Sequence, residues 1–169
     1  MSHDEDDDAP ENARDDPAPA LAPEPEGMRG RRRRGYVLEN QIGFLIRKAQ
    51  QRHLSIFAAH IPEALTAQQF AVMAKLAETG PCSQNALGRQ TAMDNSTING
   101  VVSRLVEREL VAKLPSEEDR RMHVVALTPE GERVVARALP MAAEITRLTL
   151  APLTPAERAT LVRLVRKIT

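Results

Sequence analysis

The chain of 169 residues has one cysteine, no tryptophan, one tyrosine and three phenylalanines. A lone cysteine excludes an intramolecular disulfide, which suits a reducing cytoplasm. So few aromatic rings exclude stacking as the main source of any ligand affinity. No apolar run approaches the roughly 18 residues that a membrane-spanning helix needs. The N-terminus is acidic where a secretory leader would be basic and then apolar. Hydrolase and nucleotide motifs of the Gly-x-Ser-x-Gly, Gly-x-Gly-x-x-Gly and phosphate-loop kinds are missing, so neither an enzyme nor a cofactor is expected. No Cys-x-x-Cys or His-Glu-x-x-His ligand set accompanies His53 and His60, so no metal is expected either. The chain reads as a cytoplasmic protein without a membrane partner.

Its formal net charge is zero, but the charges are divided. Residues 1–27 carry ten acids against one arginine, and residues 28–35 carry five arginines and no acid. The remainder, 36–169, has 17 basic residues against 13 acidic ones. The near-neutral whole-chain balance therefore conceals a mildly basic folded part, which leaves nucleic acid open as a partner. Residues 1–35 are expected to be a disordered acidic tail and a basic linker, because Asp, Glu, Ala and Pro offer little to bury. The run Arg29 to Arg34 is either a solvated linker or an arm for DNA phosphates.

The rest reads as mainly α-helical with one small β-hairpin. A long first helix is expected from Tyr36 to about His60, with Leu38, Ile42, Leu45, Ala49, His53 and Ile56 as one buried stripe and Phe44 and Phe57 off it. Pro62 ends it. Thr66, with Gln69 three residues into the helix, forms a capping box for a second helix whose inner face is Val72, Met73 and Leu76. Thr79-Gly80-Pro81 stops that helix. Ser83 then caps a short third helix and Asp94 a fourth. In the fourth, Val101, Val102, Leu105 and Val106 face the domain, leaving Asn95, Ser96, Thr97, Asn99, Ser103 and Arg104 outside. Val111 to Leu127 folds back as a two-stranded hairpin with Asp119, Arg120 and Arg121 near its tip. Thr128-Pro129-Glu130 opens a fifth helix that Pro140 is expected to kink. Thr154 to Glu157 is the capping box of a sixth, with an apolar stripe of Leu161, Leu164, Val165 and Ile168.

Two short helices, the second with amides and hydroxyls in its outward turns, then a hairpin with arginines at its tip, are the parts of a winged helix-turn-helix. Small polar side chains let the second helix enter the major groove and reach base edges. Arginines on the wing suit a minor groove.

The stretch Asp119-Arg120-Arg121, then Met122 to Ala126, then Leu127-Thr128 resembles the wing signature of the multiple-antibiotic-resistance regulator (MarR) family. The resemblance covers about residues 36–169. It implies a DNA-binding lobe at about 62–128 and dimerisation helices at about 36–60 and 129–169, intertwined about a two-fold axis. It implies a homodimeric repressor on double-stranded DNA with a pseudo-palindromic operator. Arg121 stands at the family's minor-groove arginine, Asp119 is placed to orient an arginine, and Arg120 either contacts phosphate or is solvated. One departure is Gly100, where the family often carries a larger, frequently basic residue.

The segment Gly43 to His53, with Met93-Asp94 and Gly100-Val101-Val102, is similar to the branch of the family that controls aromatic-acid breakdown. That implies release from DNA by an aromatic acid or its coenzyme A thioester. Arg47, Gln50, His53, Phe70 and Met73 are the candidate effector contacts, with core packing or solvation as the alternative for each. Two other readings stay open: a thiol-based redox regulator using Cys82, and a winged-helix protein-interaction module.

Overall fold

The computed structural model describes residues 36–115 and 123–169. In chain order these form a 3-10 turn (Leu38–Asn40), α1 (Ile42–His60), a second 3-10 turn (Pro62–Ala64), α2 (Ala67–Thr79) and β1 (Cys82–Ser83). Then come α3 (Gln84–Gln90), α4 (Asn95–Glu107), β2 (Val111–Pro115), β3 (His123–Leu127), α5 (Pro129–Thr149) and α6 (Pro155–Ile168). The acidic tail, the arginine run, and Asp119, Arg120 and Arg121 lie outside the described residues.

The chain parts into two compact units between Leu45 and Ile46. In the first, the 3-10 turn closes with Gln41 N–H on Leu38 O at 3.0 Å, and the Gln41 side-chain amide donates to Val37 O at 3.1 Å. The first α-helix thus starts at Ile42 and not at Tyr36, because Gln41 is extended. Leu38 is exposed, and helix propagation is worth little where no face is packed.

The second unit, Ile46–Thr169, holds the core. Val72, Met73 and Leu76 of α2, Leu87 of α3, Ile98, Val101, Val102 and Leu105 of α4, Val125 of β3, and Val134, Val135, Ala138 and Ile145 of α5 form one buried cluster. Each large aliphatic side chain fully buried there contributes about 1.5–3 kcal/mol. The expected stripe of α1 is only partly right. Along it Leu38, Ile42 and Leu45 are exposed and His53 and Ile56 half-buried, whereas Phe57, placed off it, is the residue that enters the core. Periodicity reveals that a helix has an apolar face; it does not say which turns of that face meet their own domain.

In α4 the buried face runs through Ile98, Val101, Val102 and Leu105, and Val106 is exposed, contrary to expectation. Those four positions complete an i, i+3, i+4, i+7 stripe. Val106 follows Leu105 by about 100° and turns off it. The hairpin acquires a third strand: β1 pairs antiparallel with β3 through Cys82↔Val125 and Ser83↔Val124, giving the order β1-β3-β2. Two residues are too few to show a strand's alternation in sequence. The α5 helix continues unbroken through Pro140.

Two close approaches set the geometry around the helix-turn-helix. At Gly88 an added Cβ would lie 3.2 Å from Met93 O and 3.3 Å from Ile98 Cγ2, so α3 and the turn before α4 meet nearly backbone to side chain. At Gly131 it would lie 1.9 Å from Leu110 O, where α5 starts against the end of the α4–β2 connection. The α1–α2 connection has Glu63 and Ala64 at positive φ. Arg108 donates to Glu63 O at 2.7 Å and Arg137 pairs with the Glu63 carboxylate at 2.9 Å, which holds this turn against the end of α4 and the middle of α5.

Candidate nucleic-acid interface

Both helices of the pair start from designed-in caps. Ser83 Oγ accepts the Ala86 N–H at 3.3 Å, and Asp94 Oδ1 accepts the Thr97 N–H at 2.8 Å. The Thr97 hydroxyl also donates to Asp94 Oδ2 at 2.9 Å. Such a cap is favoured because the first turn's N–H groups have no helical acceptor. It commits the Thr97 hydroxyl proton to Asp94, and Thr97 is half-buried.

With Ile98, Val101, Val102 and Leu105 facing inward, Asn95, Ser96, Asn99, Ser103 and Arg104 are all exposed. Ser96, Asn99 and Ser103 recur at spacings of three and four, so they share one outward face. The Arg104 side chain lies back along the helix over Gly100: a methyl group there would meet only its guanidinium, at 3.7 Å. The absence of a large side chain at Gly100 therefore makes room for a cation supplied one turn later. The Asn99 Oδ1 accepts a hydrogen bond from Gln84 Nε2, at the first position of α3. Gln84 is absent from the residues singled out in the sequence, because nothing in its spacing connects it with Asn99.

Among the candidate effector contacts, His53 and Phe70 are joined through Phe57, whose ring centroid is 6.3 Å from that of His53 and 5.8 Å from that of Phe70. Phe70 is half-buried and Met73 is fully enclosed in the core. Arg47 and Gln50 are exposed. His53 Nδ1 is 3.0 Å from Thr149 Oγ1. The Thr149 hydroxyl spends its one proton on Ile145 O at 2.8 Å, so at His53 it accepts, and Nδ1 carries the proton. Beside it Arg52 donates to Thr149 O at 2.5 Å and Leu148 O at 3.3 Å, where a cation favours the C-terminal carbonyls of α5.

Cys82 is half-buried, and that burial pushes its thiol above the usual range. The thiolate is the oxidisable form, so this shift runs against a peroxide sensor.

The acids shift the other way. The Thr97 backbone N–H and hydroxyl hold the Asp94 carboxyl below the usual carboxylate range. The Thr154 backbone N–H does the same to Glu157, and Arg147 to Glu144. A group whose folded pKa is depressed adds stability that is fully present above its unfolded value, about 4, and is lost as pH falls through the folded value. The thermal midpoint is therefore expected to hold level from neutrality to about pH 5 and to drop below about pH 4. Asp94→Asn keeps an equally good cap and should show a smaller drop. A wild-type midpoint that stays level to pH 3, read by circular dichroism, would contradict the assignment.

A helix pair with a buried inner face, an outward polar face and a three-stranded antiparallel sheet beside it defines the winged helix-turn-helix class of DNA-binding proteins. The family model described as MarR family matches residues 65–123. The repressor NicR of Pseudomonas putida is 40% identical over 134 residues, covering 79% of this chain and 85% of NicR. The solved structure of Bordetella bronchiseptica BpsR, whose DNA binding is regulated by 6-hydroxynicotinic acid, is 42% identical with a TM-score of 0.74, covering 79% of this chain and 96% of that one. The PcaV regulator of Streptomyces coelicolor in complex with its natural ligand is 34% identical with a TM-score of 0.73, covering 79% and 94%. The chain belongs to the MarR family: it is a DNA-binding transcriptional regulator. Among the described residues no helix is long and apolar enough to cross a membrane.

Proposed function

We propose that this chain is a homodimeric repressor, released from a pseudo-palindromic operator by an aromatic acid or its coenzyme A thioester. The observation that carries the reading is the outward face of α4, where Asn95, Ser96, Asn99, Ser103 and Arg104 stand exposed opposite a completely buried apolar face. Amides and hydroxyls can hydrogen-bond base edges, and their small size admits the helix to the major groove. In this reading Thr97 contributes its methyl group, with Arg120 and Arg121 contacting the neighbouring backbone and minor groove and Asp119 orienting them.

Dimerisation is supported by exposed apolar side chains at both ends of the chain: Ile42, Leu45 and Ile46 in α1, and Leu161, Val162, Leu164, Val165 and Ile168 in α6. A single copy leaves these in water, and at about 25 cal/mol per Å2 their burial favours association. Two copies would then read half-sites about one helical turn apart, roughly 10 base pairs.

For the effector, the cluster of His53, Phe57 and Phe70 supplies an apolar wall and one polar edge. With its Nδ1 proton held by Thr149, His53 has Nε2 left as an acceptor for a hydroxyl group on the effector. Gln50 and Arg47 are exposed polar groups on the same helix, before His53 in sequence, and Met73 lies in the core behind. BpsR, whose effector is a heteroaromatic acid, makes that class the first to test. Release requires the acid to bind the DNA-incompetent dimer more tightly, by a coupling of about 1–3 kcal/mol. Calorimetry over benzoates, hydroxynicotinates, cinnamates and their thioesters is expected to find one class binding at roughly micromolar concentration and, in mobility shifts, freeing the operator. If no compound binds, the effector assignment fails.

A further inference from the structure

The bond between Gln84 and Asn99 joins the two helices of the DNA-binding motif on their outward side. Its donor stands on a rigid base. Gln84 directly follows Ser83, which both caps α3 and pairs with Val124 in the sheet. Its acceptor, Asn99, is exposed in the middle of the polar face of α4. An exposed asparagine on its own exchanges its oxygen and nitrogen by a half-turn of the amide at little cost, and so presents no fixed pattern to a base. Gln84 restricts that freedom: turning the Asn99 amide round by itself would leave two N–H groups facing each other, so it turns only in concert with the Gln84 amide.

With one lone pair of Oδ1 taken by Gln84, Asn99 retains a second lone pair and the two hydrogens of Nδ2. An acceptor beside a donor on adjacent atoms matches the N6–H and N7 edge of adenine in the major groove. Guanine offers two acceptors there, O6 and N7, and would leave Oδ1 opposed by another oxygen.

We propose that Gln84 is a positioning residue for sequence readout, holding the Asn99 amide in the orientation that selects an A·T pair in each half-site. The proposal rests on α4 being the base-reading helix. Exposure and small side chains by themselves would allow Asn99 to touch any base; the fixed amide is what adds selectivity.

The test is selection of bound sequences from a random duplex DNA pool by the full-length protein, its Asn99→Ala, Gln84→Ala and Gln84→Lys variants. Circular dichroism checks that each is folded. Wild type is expected to enrich adenine at one position per half-site by roughly 5- to 150-fold over the other bases, the range of a good bidentate contact. Asn99→Ala should lose that preference. Gln84→Ala should reduce it to under threefold at the same position and leave the other positions alone. Gln84→Lys restores a donor and should restore the preference, which a merely structural role for Gln84 would not predict. An unchanged profile in Gln84→Ala, an even weakening at every position, or failure of Gln84→Lys to recover adenine overturns the proposal. If Asn99→Ala leaves the profile intact while wild type still enriches a palindrome, Asn99 is not the reader and the proposal falls with DNA binding untouched. Enrichment of no sequence by wild type would overturn the base-reading role of α4 itself.

Discussion

Replacing Gly131 with alanine is expected to cost about 3 kcal/mol, at the upper end of what overpacking costs. In a protein this size that lowers the thermal midpoint by roughly 10 °C. Propensity argues the opposite, since alanine in a helix interior is favoured over glycine by about 1 kcal/mol. The clash wins because the Cβ would sit 1.9 Å from the Leu110 carbonyl oxygen and 3.2 Å from Leu127 Cδ2. That oxygen is not free to swing away: it accepts the Thr128 N–H at 3.1 Å, and the Thr128 hydroxyl in turn bonds Glu109 O at 2.7 Å. Relief would have to move the start of α5 away from the hairpin. Gly100→Ala is the internal control. There the new methyl meets only the Arg104 guanidinium at 3.7 Å, so propensity alone should act and raise stability by about 0.5–1 kcal/mol. A Gly131→Ala protein that melts at or above wild type would show that α5 tolerates a shift the packing forbids.

Arg121→Ala is expected to weaken operator binding by about 1–3 kcal/mol with the dimer still folded. Strands β2 and β3 pair from Val111↔Leu127 to Pro115↔His123, so residues 116–122 connect them at the end away from the α4 and α5 junctions. Arg120 and Arg121 stand in that connection. Circular dichroism of the variant separates a binding effect from a folding one. If the guanidinium neutralises one phosphate-lined groove site, the slope of log affinity against log salt should also become shallower by about one unit. Equal affinity and equal slope in an intact protein would remove the wing from the interface.

Local signals in this chain were legible wherever a few adjacent residues settle a local equilibrium. Thr66 with Gln69 and Thr154 with Glu157 form the capping boxes that their spacing announces, and Ser83, Asp94 and Thr128 cap as expected. Each is a bond between groups three residues apart, so the sequence contains both partners. The family assignment was legible for the same reason, since its wing motif is contiguous.

The misses share a cause. Phe57 in place of Leu45, Ile98 in place of Val106, and the strand Cys82–Ser83 all depend on what lies across the fold from each residue. The sequence by itself determined the order of the six helices and the hairpin, the helix caps, the division of charge, and the polar outer face of α4. Only the tertiary structure decided that α1 begins at Ile42, that Arg104 covers Gly100, that Thr97 spends its hydroxyl on Asp94, and that Gln84 holds Asn99. A helix period repeats every 3.6 residues whatever surrounds it, whereas a contact between residues 15 apart, such as Gln84 and Asn99, exists only once the turn between their helices has set the distance.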